Sequence, residues 1–159
     1  FNLPKEDRMP EIERKFRVHD VPLPLGHGVR VRQAYLAVDG EIEVRVRDRG
    51  GTYVLGVKGG RGLERTEVEV EIEAATFDEL WNLATARRID KTRYRLPTGG
   101  HTAELDVYTG SLEGLVVAEV EFTNREEAEA FTPPPWFGDE LTGDPRWSNA
   151  ALATDGPPE

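Results

Sequence analysis

Charged and apolar residues alternate along Glu11-Ile12-Glu13-Arg14-Lys15-Phe16-Arg17-Val18, and the same alternation returns in at least four later segments. Side chains of a β-strand point to opposite faces with a period of two. Glu11, Glu13, Lys15 and Arg17 therefore share one face, with Ile12, Phe16 and Val18 on the other. This periodicity predicts strands over 10–18, 32–38, 41–49, 52–58, 64–73, 89–97, 101–108 and 115–122. Asp39-Gly40, Gly50-Gly51, Gly59-Gly60 and Thr98-Gly99-Gly100 supply turns between them. Short strands in such tight succession read as antiparallel hairpins in a barrel or sandwich.

One stretch breaks the pattern. From Thr76 to Ala86 the apolar residues Phe77, Leu80, Trp81 and Ala84 recur at helical spacing. Thr76 with Glu79 fits a capping box, and Arg87 and Arg88 follow where the helix dipole favours cations. A shorter helix is expected from Asn124 to Phe131, ended by Thr132-Pro133-Pro134-Pro135. Trp136, Phe137, Leu141 and Trp147 mark a tail that folds back on the body. Residues 1–9 read as a frayed or added terminus, 10–152 as one domain, and 153–159 as a frayed end.

Sorting the strands by parity collects the charges. Glu41, Glu43, Arg45 and Arg47 share a face, as do Arg65, Glu67, Glu69 and Glu71, with valines and isoleucines opposite. Lys91, Arg93 and Arg95 oppose Tyr94 and Leu96, Glu104 and Asp106 oppose Leu105 and Val107, and Glu119 and Glu121 oppose Val120 and Phe122. Lys58 closes the fourth strand. Two architectures fit: a solvated charged face held by cross-strand ion pairs, or charged faces turned inward around a wet tunnel. Parity does not separate them. Two details favour the second. The charges cluster by sign within strands, and the charged faces almost lack the Ser, Thr, Asn and Gln of an ordinary wet surface.

Composition narrows the chemistry. The 159 residues contain no cysteine, which excludes disulfides and thiolate metal sites. No apolar run is long enough to cross a bilayer and no signal-peptide pattern appears, so a cytoplasmic protein is expected. A net charge of −10 argues against nucleic acid as partner. It leaves room for a local anion site, because carboxylate-held divalent cations reverse the sign of a pocket. No Gly-rich Walker loop and no Gly-x-Ser-x-Gly elbow is present. His19, His27 and His101 are expected in solvent, Trp81, Trp136 and Trp147 in packing, and Arg125 to Glu129 on a solvated helix face. A face that mixes Arg and Lys with many carboxylates suits phosphoryl transfer. The cations cradle phosphate oxygens, and the carboxylates hold hard divalent ions.

The motifs in their order resemble a known family. Glu11-Ile12-Glu13-Arg14-Lys15 is similar to the signature that opens the CYTH superfamily, the triphosphate tunnel metalloenzymes. Val44-Arg45-Val46-Arg47, Val57-Lys58-Gly59, Glu67 to Ile72, Lys91-Thr92-Arg93-Tyr94, Glu104-Leu105-Asp106 and Glu113 to Glu121 follow as in that family. Leu141 to Asn149 resembles the closing segment of its compact bacterial members, so the likeness runs from Pro10 to Leu152. The resemblance implies a mainly β (α+β) fold, an eight-stranded antiparallel barrel forming a polar tunnel with helices packed outside. It implies Mg²⁺ or Mn²⁺ held by Glu11, Glu13, Glu119 and Glu121, with Glu69 and Asp106 as further ligands. It implies phosphate-gripping roles for Arg45, Arg47, Lys58, Lys91, Arg93 and Lys15, and catalytic roles for Lys15, Glu13 and Glu121. The expected activity is hydrolysis of a small triphosphate, inorganic triphosphate first, by a monomer or homodimer with no membrane or nucleic-acid partner. The alternatives are a class IV adenylate cyclase, a thiamine triphosphatase, or a polyphosphate- or nucleotide-binding module without turnover.

Overall fold

The computed structural model describes residues 12–59 and 66–158. Glu11, Gly60 and the start of the fifth predicted strand lie outside the described residues. The elements are β1 (Ile12–Arg17), β2 (Val29–Asp39), β3 (Ile42–Arg49), β4 (Thr52–Gly59), β5 (Thr66–Ile72), α1 (Ala74–Leu83), β6 (Arg88–Thr98), β7 (His101–Tyr108), β8 (Val116–Phe122), α2 (Arg125–Ala130) and α3 (Asn149–Asp155). All eight expected strands are present, in one antiparallel sheet of order β1-β8-β7-β6-β2-β3-β4-β5. The meander β2 to β5 and the meander β6 to β8 meet where β2 pairs with β6, and α1 carries the chain between them.

Among the described residues β1 and β5 are not paired with each other, so hydrogen bonds do not close the ring there. The outer edge of β1 is taken instead by the tail. Gly138 donates its N–H to the Arg17 carbonyl at 2.7 Å, and Leu141 donates to that of Lys15 at 2.8 Å. A Cβ on Gly138 would lie 2.7 Å from the Arg17 oxygen, so only glycine permits this approach. Arg14 pins the same strap, forking onto Glu140 at 2.7 and 3.0 Å and donating to the carbonyls of Ala128 and Phe131.

The outer face is apolar and covered over much of the sheet, while Ile42, Val57, Val68 and Val70 stay exposed toward β5. Phe77 of α1 is buried against Ala34 and Val46, with the Arg32 guanidinium over the rings of Phe77 and Trp81. This helix begins at Ala74, two residues before the predicted cap, and Glu73 precedes it with no side-chain capping bond. It ends at Leu83, where Arg88 reaches back to donate to the carbonyls of Trp81 and Ala84. That is the C-terminal cation the sequence suggests. α2 is capped as expected by Asn124, whose side chain accepts from the Glu127 N–H. Phe16, Val120, Phe122 and Phe131 form the layer beneath it. His101, expected in solvent, packs edge-on against Phe122 and Phe131.

The third helix departs from expectation. α3 continues to Asp155, past Leu152 where fraying is expected, and it packs on the polar face rather than outside. Trp147 and Leu152 cluster with Tyr35 of β2, Ile89 of β6, Tyr108 of β7 and Val117 of β8, all inward by strand parity. The Trp147 carbonyl also accepts from Lys15 on β1. A flat sheet would spread β1 and β2 about 19 Å apart, at ~4.8 Å per strand. One short segment touching both shows that the sheet curls around a channel, with its charged residues inside.

Candidate active site

The basic wall comes from β3. Arg45, Arg47 and Arg49 alternate onto the inner face and line a cavity of about 650 Å³ with Thr52, Gly56 and Glu69. Gly56 of β4 stands between Arg45 and Glu69 in register. A methyl group there would make ordinary contact with Arg45 at 3.7 Å. Across that gap the Arg45 guanidinium reaches Glu67 of β5 at 3.1 Å. Arg47 is held differently. Its Nε donates to Gln33 Oε1 at 3.1 Å, and Gln33 Nε2 donates to the Tyr35 hydroxyl at 2.7 Å. Among the described residues no carboxylate lies within ion-pair distance of Arg47. Burial first, and then the Arg45 charge, lower its pKa. A half-buried guanidinium crowded by a second one has the chemistry to bind an anion. Glu67 and Glu69 share a hydrogen bond that pushes Glu69 up. Burial works against the lowering of Glu67, which that bond and the Lys58 charge produce. Lys58, opposite Glu67 and Glu43, stands at the far end of this wall.

The acidic wall comes from β1 and β8. Glu13 stands opposite Glu121, and Lys15 opposite Glu119. Glu13 has its pKa raised to about 7, by burial first, then by the Glu119 charge and a hydrogen bond with that carboxyl. Water reaches Glu13, as it must in an open channel, yet enough protein surrounds it to disfavour a second negative charge beside Glu119. Lys15 Nζ lies 3.4 Å from Glu119 Oε1 and donates to the Trp147 carbonyl at 3.2 Å. Beside them a cavity of about 260 Å³ is bounded by Thr142, Asp144 and Ser148. Among the described residues no three acids or histidines converge closely enough to hold a metal alone. Two carboxylates sharing a proton still fit a hard cation. Mg²⁺ commonly takes one or two carboxylates and completes its shell with water and substrate phosphate. Glu11, the fourth expected ligand of this group, lies outside the described residues.

Between the walls lies a buried ion cluster. Asp106 of β7 is 1% exposed, and both its oxygens are engaged. Arg93 Nε donates to Oδ1 at 2.7 Å, and Lys91 Nζ and Arg93 Nη2 donate to Oδ2 at 2.8 and 2.9 Å. Burial would raise the Asp106 carboxyl, but these bonds and charges overcome it and hold it below the usual range. Lys91 is pulled down by burial more than Asp106 lifts it. Arg93 also meets Glu104 at 2.8 Å, as a charge contact without hydrogen-bond alignment. Asp106, expected as a metal ligand, is engaged here by two cations, which take three of its roughly four lone pairs. Arg93 is near enough to Glu119 to be raised by it and to Arg47 to lower it, so the cluster links the walls.

Parity placed Glu13, Lys15, Glu69, Glu119, Glu121, Arg45, Arg47, Lys58, Lys91, Arg93 and Asp106 on one face, and the structure brings them to one channel. Gln33 and Tyr35 carry no charge, so a count of charged positions passes over them. Both are buried on the inner face of β2, and their register opposite Arg47 and Arg45 was the available signal.

Residues 9–142 match the CYTH domain family. The inorganic triphosphatase of Nitrosomonas europaea is 46% identical over 148 residues, covering 91% of this chain and 97% of that protein. The inorganic triphosphatase of Acetivibrio thermocellus is 41% identical over 145 residues, covering 89% and 92%. A solved structure of an inorganic triphosphatase superposes with a TM-score of 0.79 at 42% identity, covering 93% of this chain and 97% of that one. The shared order of motifs, the curled antiparallel sheet and this extent of likeness agree: the chain belongs to the CYTH domain family.

Proposed function

We propose that this chain is a triphosphatase that hydrolyses inorganic triphosphate in a metal-dependent reaction. The observation that carries the reading is the crowding of like charges on each of the two walls. Arg47 has no carboxylate partner among the described residues and lines the larger cavity, while Glu13 and Glu119 crowd each other in the same channel. A polyanion together with a divalent cation satisfies both. The relatives named inorganic triphosphatase support the choice of substrate.

In this reading Arg45 and Arg47 grip the phosphoryl oxygens, with Arg93 and Lys91 held in line by Asp106 and Lys58 extending the basic wall. Glu13, Glu119 and Glu121, with Glu11, would hold Mg²⁺ or Mn²⁺, and Glu69 trims the charge of the arginines. The bound metal supplies charge neutralisation on the phosphate chain and a lowered pKa for water. Lys15, steadied by Glu119 and the Trp147 carbonyl, orients the attacking water toward the terminal phosphorus. One P–O–P bond breaks as the new P–O bond forms, giving orthophosphate and pyrophosphate. Positioning and electrostatic stabilisation do most of the work in such a reaction.

The test is incubation with triphosphate, ATP and thiamine triphosphate, each with Mg²⁺ or Mn²⁺. Orthophosphate and pyrophosphate from triphosphate, abolished by chelator, is the expected result. Cyclic AMP from ATP, faster release from thiamine triphosphate, or tight binding without turnover would each replace the proposal.

A further inference from the structure

The inner face of the sheet is not polar throughout. Tyr35, Ile89, Tyr108 and Val117 share it with the phosphate-gripping cations, and their exposures are 4%, 0%, 3% and 2%. This apolar end adjoins the basic one. Tyr35 stands opposite Arg45 in register, and Gln33 bonds both Arg47 and the Tyr35 hydroxyl. Lys91 Nζ lies 5.5 Å from the centre of the Tyr108 ring. Two aromatic rings and two aliphatic side chains beside a row of phosphate-binding cations make a floor on which a nucleoside carried by a triphosphate would rest.

Here that space is occupied. Trp147 and Leu152 cover the floor, and both belong to chain beyond residue 142, where the match to the family ends. The segment is tied down by bonds that use the floor itself. The Tyr108 hydroxyl donates to Asn149 Oδ1 at 2.7 Å, and the Arg17 guanidinium sits 5.5 Å from the centre of the Trp147 ring. The Ser148 side chain caps α3 by accepting from the Ala151 N–H.

We propose that the segment from Pro145 to Leu152 is a specificity element. It fills the aromatic end of the channel and so rejects triphosphates bearing an aromatic group, leaving a site that fits the bare inorganic chain. The inference rests on the triphosphatase reading above and deepens it. Trp147 is the principal filler and Leu152 the second.

The experiment measures kcat/KM for triphosphate and for ATP in the wild type and in Trp147→Ala, Trp147→Phe and Leu152→Ala. The ratio of ATP to triphosphate should rise about tenfold or more in Trp147→Ala. It should rise less in Leu152→Ala and stay near the wild-type value in Trp147→Phe, which keeps a ring in place. Should Trp147→Ala not fold by circular dichroism, Leu152→Ala carries the same test with a smaller opening. A ratio within about twofold of wild type in a folded truncation overturns the proposal, as does a wild type that cleaves ATP as readily as triphosphate. A wild type inert toward triphosphate defeats the triphosphatase reading instead. Equilibrium binding of ATP against triphosphate to the same variants then still reads the filler, with the same shift expected.

Discussion

Replacing Asp106 with asparagine exchanges one oxygen for an amide nitrogen at a point where Lys91 and Arg93 converge on one buried carboxylate. Whichever way the amide turns, its NH₂ faces a donor. In one orientation it meets Lys91 and Arg93 Nη2, in the other Arg93 Nε. A unit charge pair at 2.8 Å in a medium of effective dielectric near 20 attracts by about 6 kcal/mol, an upper bound for the loss. The variant recovers part of this because it need not desolvate its own carboxylate, and Glu104 still neutralises some of Arg93. Breaking one side of a buried pair typically costs 3–5 kcal/mol, and the remaining carboxylate places this case near the lower end, about 3 kcal/mol. For a chain of this size that is a fall in Tm of roughly 6–12 °C. Urea unfolding followed by circular dichroism at pH 7 reads it, and 1 M KCl should leave the difference standing because salt screens buried pairs weakly. The sign with pH follows from the direction of the shift. A carboxyl held below its unfolded value stabilises above that value, about pH 3.9, and the contribution fades as pH falls through the lower folded one. Wild type and variant should therefore converge in acid. Lys91→Met added to Asp106→Asn should return part of the loss by removing the stranded charge. The control is Asp144→Asn, whose pair with Arg146 is exposed and should be silent. An Asp106→Asn variant as stable as that control would refute the picture of a buried hub.

Arg47→Ala should lower kcat/KM for triphosphate by about 10²–10³-fold, while urea unfolding shifts by only about 1–2 kcal/mol, since the bond to Gln33 is lost and the buried Gln33 oxygen is left to water entering the vacated space. Glu13 carries a folded pKa of about 7 against an ordinary 4.5, so the folded state holds more protons and stability falls as pH rises between those values. Glu13→Gln should flatten that slope and abolish turnover, and Mg²⁺ or Mn²⁺ should raise the wild-type Tm more at pH 8 than at pH 5.5; a slope unchanged in the variant would reassign the titrating group. Gly138→Ala forces a methyl to 2.7 Å from the Arg17 carbonyl, which should cost about 1–3 kcal/mol in urea unfolding and release the strap from β1, read as faster amide exchange at Gly138 and Leu141.

Much of this arrangement is legible in the chain because a strand's period is two and its inner residues are charged. One parity count yields the strands and collects the charged residues from Glu13 to Glu121 face by face, but it does not say that the face is turned inward. What parity does not give is register. Asp106 is marked as an inner carboxylate, but only the pairing of β6 with β7 sets Arg93 directly opposite and Lys91 within reach, which turns an expected metal ligand into a holder of cations. α1 is visible from Phe77, Leu80 and Trp81. Its start is misplaced because Thr76 and Glu79 imitate a capping box, whereas the helix follows β5 almost at once and its first turn is closed by the Phe77 N–H on the Glu73 carbonyl. α3 leaves little trace, for Asn149-Ala150-Ala151-Leu152-Ala153 is too short to show a stripe. A helix that short owes its stability to packing, and its packing partners are inner-face residues far away in sequence.

The shifted pKa values on the two walls have a common origin. Arg47 is lowered by burial and by Arg45, and Glu13 is raised by burial and by Glu119. In each case a titratable group stands beside a group of like charge on a partly enclosed inner face. Opposite charges within one channel would relieve both if they met, yet each wall is tethered to its own framework: Arg47 through Gln33 to β2, and Lys15 through the Trp147 carbonyl to the tail. The sheet thus preserves an electrostatic imbalance that lowers its own stability. A ligand that is itself a polyanion bound to a cation would offset the like-charge repulsion on both walls at once. An ordinary ion-paired surface has no such repulsion to offset. That difference separates this face from the solvated alternative, in which cross-strand pairs would already have neutralised Arg47 and Glu13.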